Sequence, residues 1–454
     1  MDAPSRTTAP SRTTAPSPTA PGRATVPSPT ALPRSEESSA RPEEHDVVIV
    51  GAGQAGLALS HELGAAGVEH VVLERGRVGQ SWRRRWDSFC LVIPNWTMRL
   101  PGSPYAGDDP DGFLPRDAIV RSLADYAADF RSPVREGVEV TRADGGPSTG
   151  GGFRLATSAG PLRARQLVLA SGGYQRPYRP PSWTTLPASA HVIDAEEYVR
   201  PDRLPPGGVL VVGSGQSGCQ IAEELAEAGR RVHLACGRAP WVPRRVEERD
   251  IVAWLVETPF FAARLSDLPD RSMRLLANPQ CSGRDGGHDL NYRTLQALGV
   301  TLAGHFLGAR DGVAYFADDL PASVAFADAR WSDIRTVITN CLTGAGRRVP
   351  RLPEPAPFRA DPVTELDLAG VGTVLFTSGY RPDFASWTGF PGAFDGVGFP
   401  LQRDGSSTVV PGLHFMGVPW QRTRKSATFL GVAEDAAVVT ERIVAASRRP
   451  RPAG

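Results

Sequence analysis

Two glycine clusters have the spacing that dinucleotide binding requires. The first is Gly51-Ala-Gly53-Gln-Ala-Gly56, and the second is Gly213-Ser-Gly215-Gln-Ser-Gly218. In this spacing the first glycine permits a tight turn, the second lets the backbone approach a pyrophosphate, and the third lets a helix pack closely on a strand. We therefore expect each cluster to bind a dinucleotide, through its glycines and through the intervening residues Gln54, Ala55, Gln216 and Ser217.

The residues that follow the two clusters differ in charge. Glu74 ends the strand expected after the first cluster and can accept hydrogen bonds from both hydroxyls of an adenosine ribose. Cys236 takes the corresponding place after the second cluster, and Arg238 lies two residues later. An acid there would repel a 2′-phosphate, whereas an arginine would pair with it. The second site is therefore predicted to prefer NADPH over NADH, with Arg244 and Arg245 as further candidates for phosphate contact.

Strands and helices must hold both clusters in place. Apolar runs and helical spacing predict a strand, a helix and a second strand around each cluster. These predicted elements are Asp46–Val50, a helix to Gly67 and Val71–Glu74, then Gly208–Val212, a helix to Ala228 and Arg231–Ala235. Two more strands, 166–173 and 372–379, end in small residues that echo one another. The pattern predicts an α/β fold with two Rossmann-like dinucleotide-binding domains.

Composition narrows the classes of protein. The 454 residues suffice for two or three domains, and the net charge of +1 gives no sign of a nucleic-acid partner. The five cysteines form no Cys-x-x-Cys pair, which excludes a redox-active dithiol of that type and the usual zinc spacings, so no metal is expected. Scattered cysteines and the lack of an 18-residue apolar run predict a cytoplasmic protein without a membrane span.

The chain divides into five predicted segments. A Pro/Thr/Ser/Ala-rich stretch over 1–43 has too little apolar surface to fold and is predicted to be a disordered tail. Residues 44–205 and 345–446 are expected to form, in two parts, the domain that carries the first glycine cluster. An NADPH-binding domain over 206–344 is inserted between them, and 447–454 is a flexible C-terminus. The sequence leaves open whether the chain forms a homodimer.

Further motifs resemble one enzyme family. Ser81-Trp82 and Trp86-Asp87-Ser88 follow Glu74, Tyr198 precedes the second cluster, and Phe376-Thr-Ser-Gly-Tyr380 lies near the end. With the two glycine clusters, this set resembles the class B flavin-containing monooxygenases, in a bacterial branch related to the plant auxin-forming flavin monooxygenases. The resemblance covers residues 45–446. It implies FAD and NADPH as cofactors, with Ser81, Trp82 and Gly379 among the residues that contact them.

The resemblance also implies a mechanism. NADPH reduces FAD, reduced FAD adds oxygen to give a hydroperoxyflavin, and bound NADP shields this adduct from water. An amine, a thioether or a carbonyl carbon of a small substrate is then oxygenated. In this scheme the flavin carries the chemistry, and the protein supplies position and a dry pocket between the domains.

Departures from the family pattern leave alternatives open. Aligning the family signature on Tyr198 puts Asp194 where a histidine is expected, and the position of an asparagine near the flavin falls on Val92, with Asn95 the nearest asparagine. Asn95 and Asp194 are thus the only catalytic candidates. An FAD-dependent NAD(P)H oxidase or reductase is the main alternative, and a flavin-binding sensor is another. The loop around His288 and Asp289, and His414 in a late strand, could be functional or purely structural.

Overall fold

The computed structural model describes residues 42–146, 151–361 and 363–448. The predicted tail over 1–43 lies outside these residues apart from its last two positions, and Glu43 already belongs to the first strand. Of the predicted C-terminal segment 447–454, only the first two residues are described.

Twenty-three strands are found in the described residues. Numbered along the chain, they are β1 (Glu43–Val50), β2 (His70–Glu74), β3 (Arg99–Leu100), β4 (Ser103–Pro104), β5 (Val134–Glu136), β6 (Val140–Gly146), β7 (Gly152–Thr157), β8 (Gly160–Leu169), β9 (Arg176–Pro177), β10 (Val192–Asp194), β11 (Gly208–Val212), β12 (Val232–Ala235), β13 (Arg245–Val246), β14 (Arg249–Asp250), β15 (Thr301–Ala303), β16 (Phe306–Arg310), β17 (Val313–Phe316), β18 (Glu365–Asp367), β19 (Val371–Phe376), β20 (Tyr380–Arg381), β21 (Gln402–Arg403), β22 (Ser406–Ser407) and β23 (Leu413–Phe415).

The same residues contain eight α-helices, several of which pack on the sheets. They are α1 (Gln54–Ala65), α2 (Gln80–Arg83), α3 (Arg116–Asp129), α4 (Gln216–Glu227), α5 (Ile251–Val256), α6 (Tyr292–Ala297), α7 (Leu320–Gly344) and α8 (Val432–Ser447). Short 3-10 helices lie at Asn95–Thr97, Pro181–Thr185, Pro201–Arg203, Leu265–Asp267, Arg271–Leu275, Arg284–Gly286 and Leu368–Gly370. The last helix, α8, begins at Val432 without a capping side chain.

The first sheet has a parallel centre in the order β5-β2-β1-β8-β23. Short strands β22 and β21 extend it at the β23 edge, and β7 and β6 join β8 in antiparallel pairing. Helices α1 and α8 share one apolar core with this sheet, through residues such as Leu57, Leu63, Val439 and Ile443. The buried, Val-rich strand β1 is typical of a parallel sheet that is covered on both faces.

The second sheet is fully parallel, in the order β10-β19-β11-β12-β15. Two of its strands, β10 and β19, come from outside the segment 206–344. Helix α7 shares an apolar core with this sheet through a stripe that includes Val324, Trp331 and Ile338. The α/β fold, with a parallel arrangement at the centre of both sheets, is as the sequence predicted.

Strand register places the two glycine clusters in equivalent positions. Val50 at the end of β1 lies opposite Leu73 on one side and Leu169 on the other. Val212 at the end of β11 lies opposite Ala235 and Phe376 in the same way. Each glycine turn therefore leaves the carboxyl end of a central parallel strand, where ligands of open α/β sheets bind.

Candidate functional site

Backbone atoms lie so close to two glycines of the first turn that neither position could carry a side chain. Gly51 has a φ of +112°, and a Cβ there would lie 2.7 Å from the carbonyl oxygen of Ala170. A Cβ on Gly56 would lie 1.9 Å from the carbonyl oxygen of Gly51. At Gly53, in contrast, no atom would lie within 4 Å of a Cβ. The side of the turn that a pyrophosphate would approach is thus left open.

The N-terminus of α1 is free to bind an anion. Gly53 is its N-cap residue, and no side chain caps the helix. The first backbone N–H groups of a helix have no partner within the helix, and they carry the positive end of its dipole. Gln54, Ala55 and Gly56 therefore present amides where the sequence predicted cofactor contacts.

Glu74 is buried beside this turn, with only 7% of its surface exposed. One carboxylate oxygen accepts a hydrogen bond from the backbone N–H of Ala52, and the other accepts one from the N–H of Gly76, both at 2.9 Å. Two charge-assisted bonds fix the carboxylate at the end of β2, and each oxygen keeps a further lone pair for a ligand hydroxyl. The geometry fits the predicted ribose contact.

Trp82 joins the first turn to the C-terminal part of the chain. Its indole N–H donates to Oε1 of Gln54 at 2.9 Å, and its ring stacks on Phe429 with centroids 5.4 Å apart. Nε2 of Gln54 in turn donates to the carbonyl oxygen of Ala427 at 3.1 Å, shortly before α8. Ser81, next to Trp82 in α2, is exposed. Gln54 and Trp82 are therefore brought together, although each was predicted from a separate motif.

The second glycine turn repeats the geometry of the first. Gly213 has a φ of +111°, and a Cβ on Gly218 would lie 2.0 Å from the carbonyl oxygen of Gly213. No side chain caps α4, whose N-cap residue is Gly215. The helix again offers free amides at its N-terminus, from Gln216 and Ser217.

The small residues that end β8 and β19 support one turn each. The N–H of Ala170 donates to the carbonyl oxygen of Val50, and the N–H of Thr377 donates to that of Val212. The hydroxyl of Thr377 also donates to the carbonyl oxygen of Gly213 at 2.6 Å. Gly379, two residues later with a φ of +90°, therefore follows the strand that backs the second turn, not the first.

The three arginines after β12 occupy very different environments. Arg238 is exposed, and no hydrogen bond or ion pair of its side chain occurs within the described part of the chain. The neighbouring N–H of Gly237 donates to Oγ of Ser214, inside the second turn, at 2.8 Å. Arg238 is thus beside the turn and available to a 2′-phosphate.

Arg244 and Arg245 are engaged elsewhere. Arg244 is 1% exposed and forms an ion pair with Asp250 at 2.7 Å, and it donates to the carbonyl oxygen of Val92 at 2.8 Å. Arg245 donates to the carbonyl oxygens of Gly286 and Gly287. Both guanidinium groups hold loops together, so they are not available to a cofactor phosphate.

The Gly-rich loop around His288 packs against the second turn. Gln216 donates to the carbonyl oxygen of Cys281 at 2.8 Å, and Gln280 donates to that of Ser214. His288 pairs with the buried Glu223 of α4 at 2.7 Å, and this hydrogen bond raises the pKa of His288. The loop residues thus have structural partners, which favours the structural interpretation of this motif.

The side chains of both catalytic candidates are engaged in hydrogen bonds. Nδ2 of Asn95 donates to the carbonyl oxygen of Asp109, and Oδ1 accepts from the N–H of Leu114, so the side chain holds the 109–114 loop. Asp194, at the end of β10, accepts two hydrogen bonds from Arg179, at 2.9 and 2.8 Å.

One connection was missed from the sequence. The hydroxyl of Tyr198 donates to Glu224 of α4 at 2.9 Å, and burial together with this carboxylate raises the pKa of Tyr198. The ring of Tyr198 also contacts Trp86, with centroids 6.5 Å apart. Tyr198 and Trp86 were both recognised as motif residues, but their direct contact depends on tertiary packing that spacing does not encode.

The described parts of the chain contain no group of three or more His, Cys, Asp or Glu side chains arranged to hold a metal ion. None of their helices combines the length and apolarity that a bilayer crossing requires.

Comparison with known proteins agrees with this geometry. A family model described as "Pyridine nucleotide-disulphide oxidoreductase" matches residues 48–278, which include both glycine turns. The "Uncharacterized oxidoreductase CzcO-like" of Geobacillus kaustophilus is 28% identical over 399 residues, which cover 86% of this chain and 96% of the relative. Indole-3-pyruvate monooxygenase YUCCA4 of rice is 32% identical over 203 residues, 41% of this chain and 46% of that enzyme.

Solved structures show the same fold. A flavin-containing monooxygenase from Stenotrophomonas maltophilia superposes with a TM-score of 0.60 at 19% identity, covering 89% of this chain and 99% of the other. An ornithine N-hydroxylase from Kutzneria, solved with reduced FAD, NADP⁺ and ornithine, superposes with a TM-score of 0.59 at 17% identity over 89% of this chain and all of the other. Together with the sequence relatives, these matches confirm the predicted fold class and the resemblance to the class B flavin-containing monooxygenases.

Proposed function

We propose that this chain, which belongs to the pyridine nucleotide-disulphide oxidoreductase family, is an NADPH-dependent FAD monooxygenase that oxygenates a small organic molecule. The observation that carries the proposal is the pair of equivalent glycine turns, one beside the buried acid Glu74 and the other beside the exposed Arg238. The two turns fit two different dinucleotides, one with free ribose hydroxyls and one with a 2′-phosphate.

FAD is the ligand of the first turn. Gly53 lets the pyrophosphate approach the backbone, the free amides of α1 donate to it, and Glu74 accepts from the adenosine ribose. Trp82, held by Gln54 and stacked on Phe429, lies beside this turn as an aromatic wall for the flavin. Ser81, exposed next to Trp82 in α2, is a further side chain that would contact the cofactor here.

NADPH is the ligand of the second turn. The amides of Gln216 and Ser217 donate to its pyrophosphate, and Arg238 pairs with its 2′-phosphate. Gly379 follows the strand that backs this turn, and no atom would lie within 4 Å of a Cβ there. The backbone at Gly379 therefore leaves room for the nicotinamide end of NADPH.

The proposal includes two domains, with the boundaries predicted from the sequence, and two strands that link them. An FAD domain over 44–205 and 345–446 carries the first turn, and an inserted NADPH domain over 206–344 carries the second. Strands β10 and β19 pair within the second sheet, so they link the two domains structurally. The active site lies between the two domains, where pockets commonly form.

The reduced flavin supplies the activation of oxygen, and the chain supplies position and exclusion of water. The similar plant enzymes are indole-3-pyruvate monooxygenases, and the Kutzneria enzyme is an ornithine N-hydroxylase. A small substrate with a soft nucleophile or a carbonyl carbon fits this chemistry, and oxygen is the second substrate. The five cysteines all carry free thiols, which suits the reducing cytoplasm that we propose as the location.

One observation favours a second candidate, an FAD-dependent NAD(P)H oxidase or reductase. Both polar atoms of the Asn95 side chain are bonded to the backbone of the 109–114 loop, so this amide is not free to stabilise an oxygenated flavin. A chain without such a stabiliser would release hydrogen peroxide instead of oxygenating a substrate.

A stopped-flow experiment separates the two. The purified yellow protein is reduced anaerobically with NADPH and mixed with oxygen, and the flavin absorbance is followed. A monooxygenase gives a transient absorbing intermediate that lasts longer when NADP⁺ is present. Direct return to oxidised flavin with stoichiometric hydrogen peroxide would replace the proposal with the oxidase.

A further inference from the structure

The guanidinium group of Arg424 lies between two aromatic rings in the segment that precedes α8. Its central carbon is 4.3 Å from the ring centroid of Phe260 and 4.9 Å from that of Trp420. Trp420 adopts a φ of +60°, a conformation that bulky residues rarely take. The backbone N–H of Arg424 donates to the carbonyl oxygen of Ala263 at 2.8 Å. The segment is thus held in a defined and costly conformation around this side chain.

Arg424 has no anionic partner, unlike its neighbours. Arg422 pairs with the buried Asp435 at 3.3 Å, and Lys425 pairs with Glu434 at 2.5 Å. Within the described residues, the side chain of Arg424 forms neither a hydrogen bond nor an ion pair, and its buried Nε has no acceptor. Burial without a compensating charge lowers the pKa of Arg424 to about 10.

A half-buried cation without a partner is unfavourable, because desolvation is not offset by an attractive charge. Stacking on two rings recovers only part of this cost. An anion that arrives with a ligand would complete the site. The stacked face of the guanidinium is occupied by the rings, and its edge remains as a fork of donors that matches a carboxylate.

Arg424 is also close in sequence to the proposed FAD site. Three residues later, the carbonyl oxygen of Ala427 accepts from Gln54 of the first glycine turn. Phe429, which stacks on Trp82, belongs to the same segment. An anion bound at Arg424 would therefore lie on the same segment that contacts Gln54 and Trp82 of the proposed FAD site.

We propose that Arg424 binds the carboxylate of the substrate, so that the enzyme acts on small organic acids. This inference rests on the proposed function, because only an enzyme of that kind has such a substrate. Binding of a carboxylate can nevertheless be measured without turnover. The same chemistry could come from a phosphate of FAD or NADPH, and the experiment distinguishes these sources.

The test is calorimetric titration of the FAD-loaded full-length protein with phenylacetate and hexanoate, each compared with its primary amide. The wild-type protein is expected to bind at least one acid about 10-fold or more tightly than its amide, the usual effect of a hydrogen bond to a charged group. Arg424→Gln should remove this preference, and Arg424→Lys should keep part of it. Arg310→Gln is the matched control. The central guanidinium carbon of Arg310 lies 5.4 Å from the ring centroid of Tyr315, and this arginine is exposed at the end of β16, more than a hundred residues before Arg424.

Each other outcome overturns the proposal. Equal binding of acids and amides by the wild-type protein, or a preference that survives Arg424→Gln, would show that Arg424 does not select carboxylates. Loss of bound FAD, or a raised KM for NADPH, in a folded Arg424→Gln protein would assign the anion to a cofactor phosphate. Because binding requires no oxygenation, an oxidase result in the stopped-flow experiment would leave this test intact.

Discussion

The indole N–H of Trp82 donates to Oε1 of Gln54 at 2.9 Å, across 28 positions of sequence. The same amide side chain donates through Nε2 to the carbonyl oxygen of Ala427, which precedes the last helix. One glutamine inside the first glycine turn therefore fixes both an aromatic residue and the C-terminal segment. The FAD site that we propose is built from three distant parts of the chain that meet at this side chain.

Replacing Glu74 with Gln should weaken FAD binding about 10-fold or more, because the ribose hydroxyls lose a charged acceptor. The bound flavin fraction, read from the visible absorbance of the purified protein, and the FAD dissociation constant measure this loss. Glu136→Gln is the matched control. Glu136 lies opposite Glu74 on the adjacent strand and also accepts a backbone N–H, from Val78 at 2.7 Å, but it is exposed. Equal flavin loss in both variants would show that Glu74 has only a structural role.

Alanine at Gly56 or Gly218 should separate the two cofactors. In either variant the new Cβ would lie about 2 Å from a backbone carbonyl oxygen, so the turn must open. We expect Gly56→Ala to be purified without FAD, and Gly218→Ala to keep FAD but lose reduction by NADPH. Anaerobic flavin bleaching measures the second effect.

The control for these two variants is Gly64→Ala, in an exposed part of α1 where no atom lies within 4 Å of the added Cβ. It should bind both cofactors and gain about 0.5–1 kcal/mol of stability, since alanine is the better helix former. Loss of FAD from Gly218→Ala would contradict the assignment of the two turns to separate cofactors.

Arg238→Gln should change the preference between nicotinamide cofactors. The KM for NADPH should rise about 10-fold or more as the 2′-phosphate loses its charged partner, while the KM for NADH stays the same. Flavin reduction rates at varied cofactor concentrations give both constants. Arg245→Gln is the control, because Arg245 donates to two loop carbonyl oxygens instead. If Arg238→Gln left the NADPH constant unaltered, the phosphate contact would lie elsewhere.

The sequence predicted the turns because their requirements are local. A glycine with φ near +110°, a helix start and an acid at a strand end all follow from a contiguous stretch of about 30 residues. The partners of Arg244 could not be predicted, because Asp250 and the carbonyl oxygen of Val92 reach it only through tertiary folding. The prediction of the second sheet from the sequence was incomplete for the same reason. Strands β10 and β19 join β11 from outside its own segment, and no local pattern encodes that pairing.

Helix α7 was also missed, although it has 25 residues. Its buried stripe runs through Val324, Trp331 and Ile338, but Asp and Arg residues lie between these positions and Pro321 follows its first residue. Burial by the second sheet, which the sequence does not reveal, is what distinguishes this stripe from an irregular segment.

His414 gives a prediction about pH. It is buried in β23, where Nε2 lies 3.0 Å from Oε1 of Gln166 and Nδ1 lies 3.1 Å from Oγ of Ser406. Burial, with a smaller effect from Arg442, lowers the pKa of His414 from 6.5 to about 4. The unfolded chain therefore takes up a proton near pH 6.5, and the folded protein does so only near pH 4. The contribution of His414 to stability is complete above pH 6.5 and is lost as the pH falls to 4.

The expected size of this loss is about 3 kcal/mol, because the pKa of His414 falls from 6.5 to about 4 on folding. His414→Gln keeps a polar side chain but cannot take up the proton, so the free energy of unfolding should fall less steeply between pH 6.5 and pH 4 than in the wild-type protein. Urea unfolding across this range measures the difference, and carboxylates that titrate in both proteins cancel in the comparison. Parallel pH profiles would mean that His414 is protonated in the folded protein as readily as in the unfolded chain, which the burial of its ring makes unfavourable.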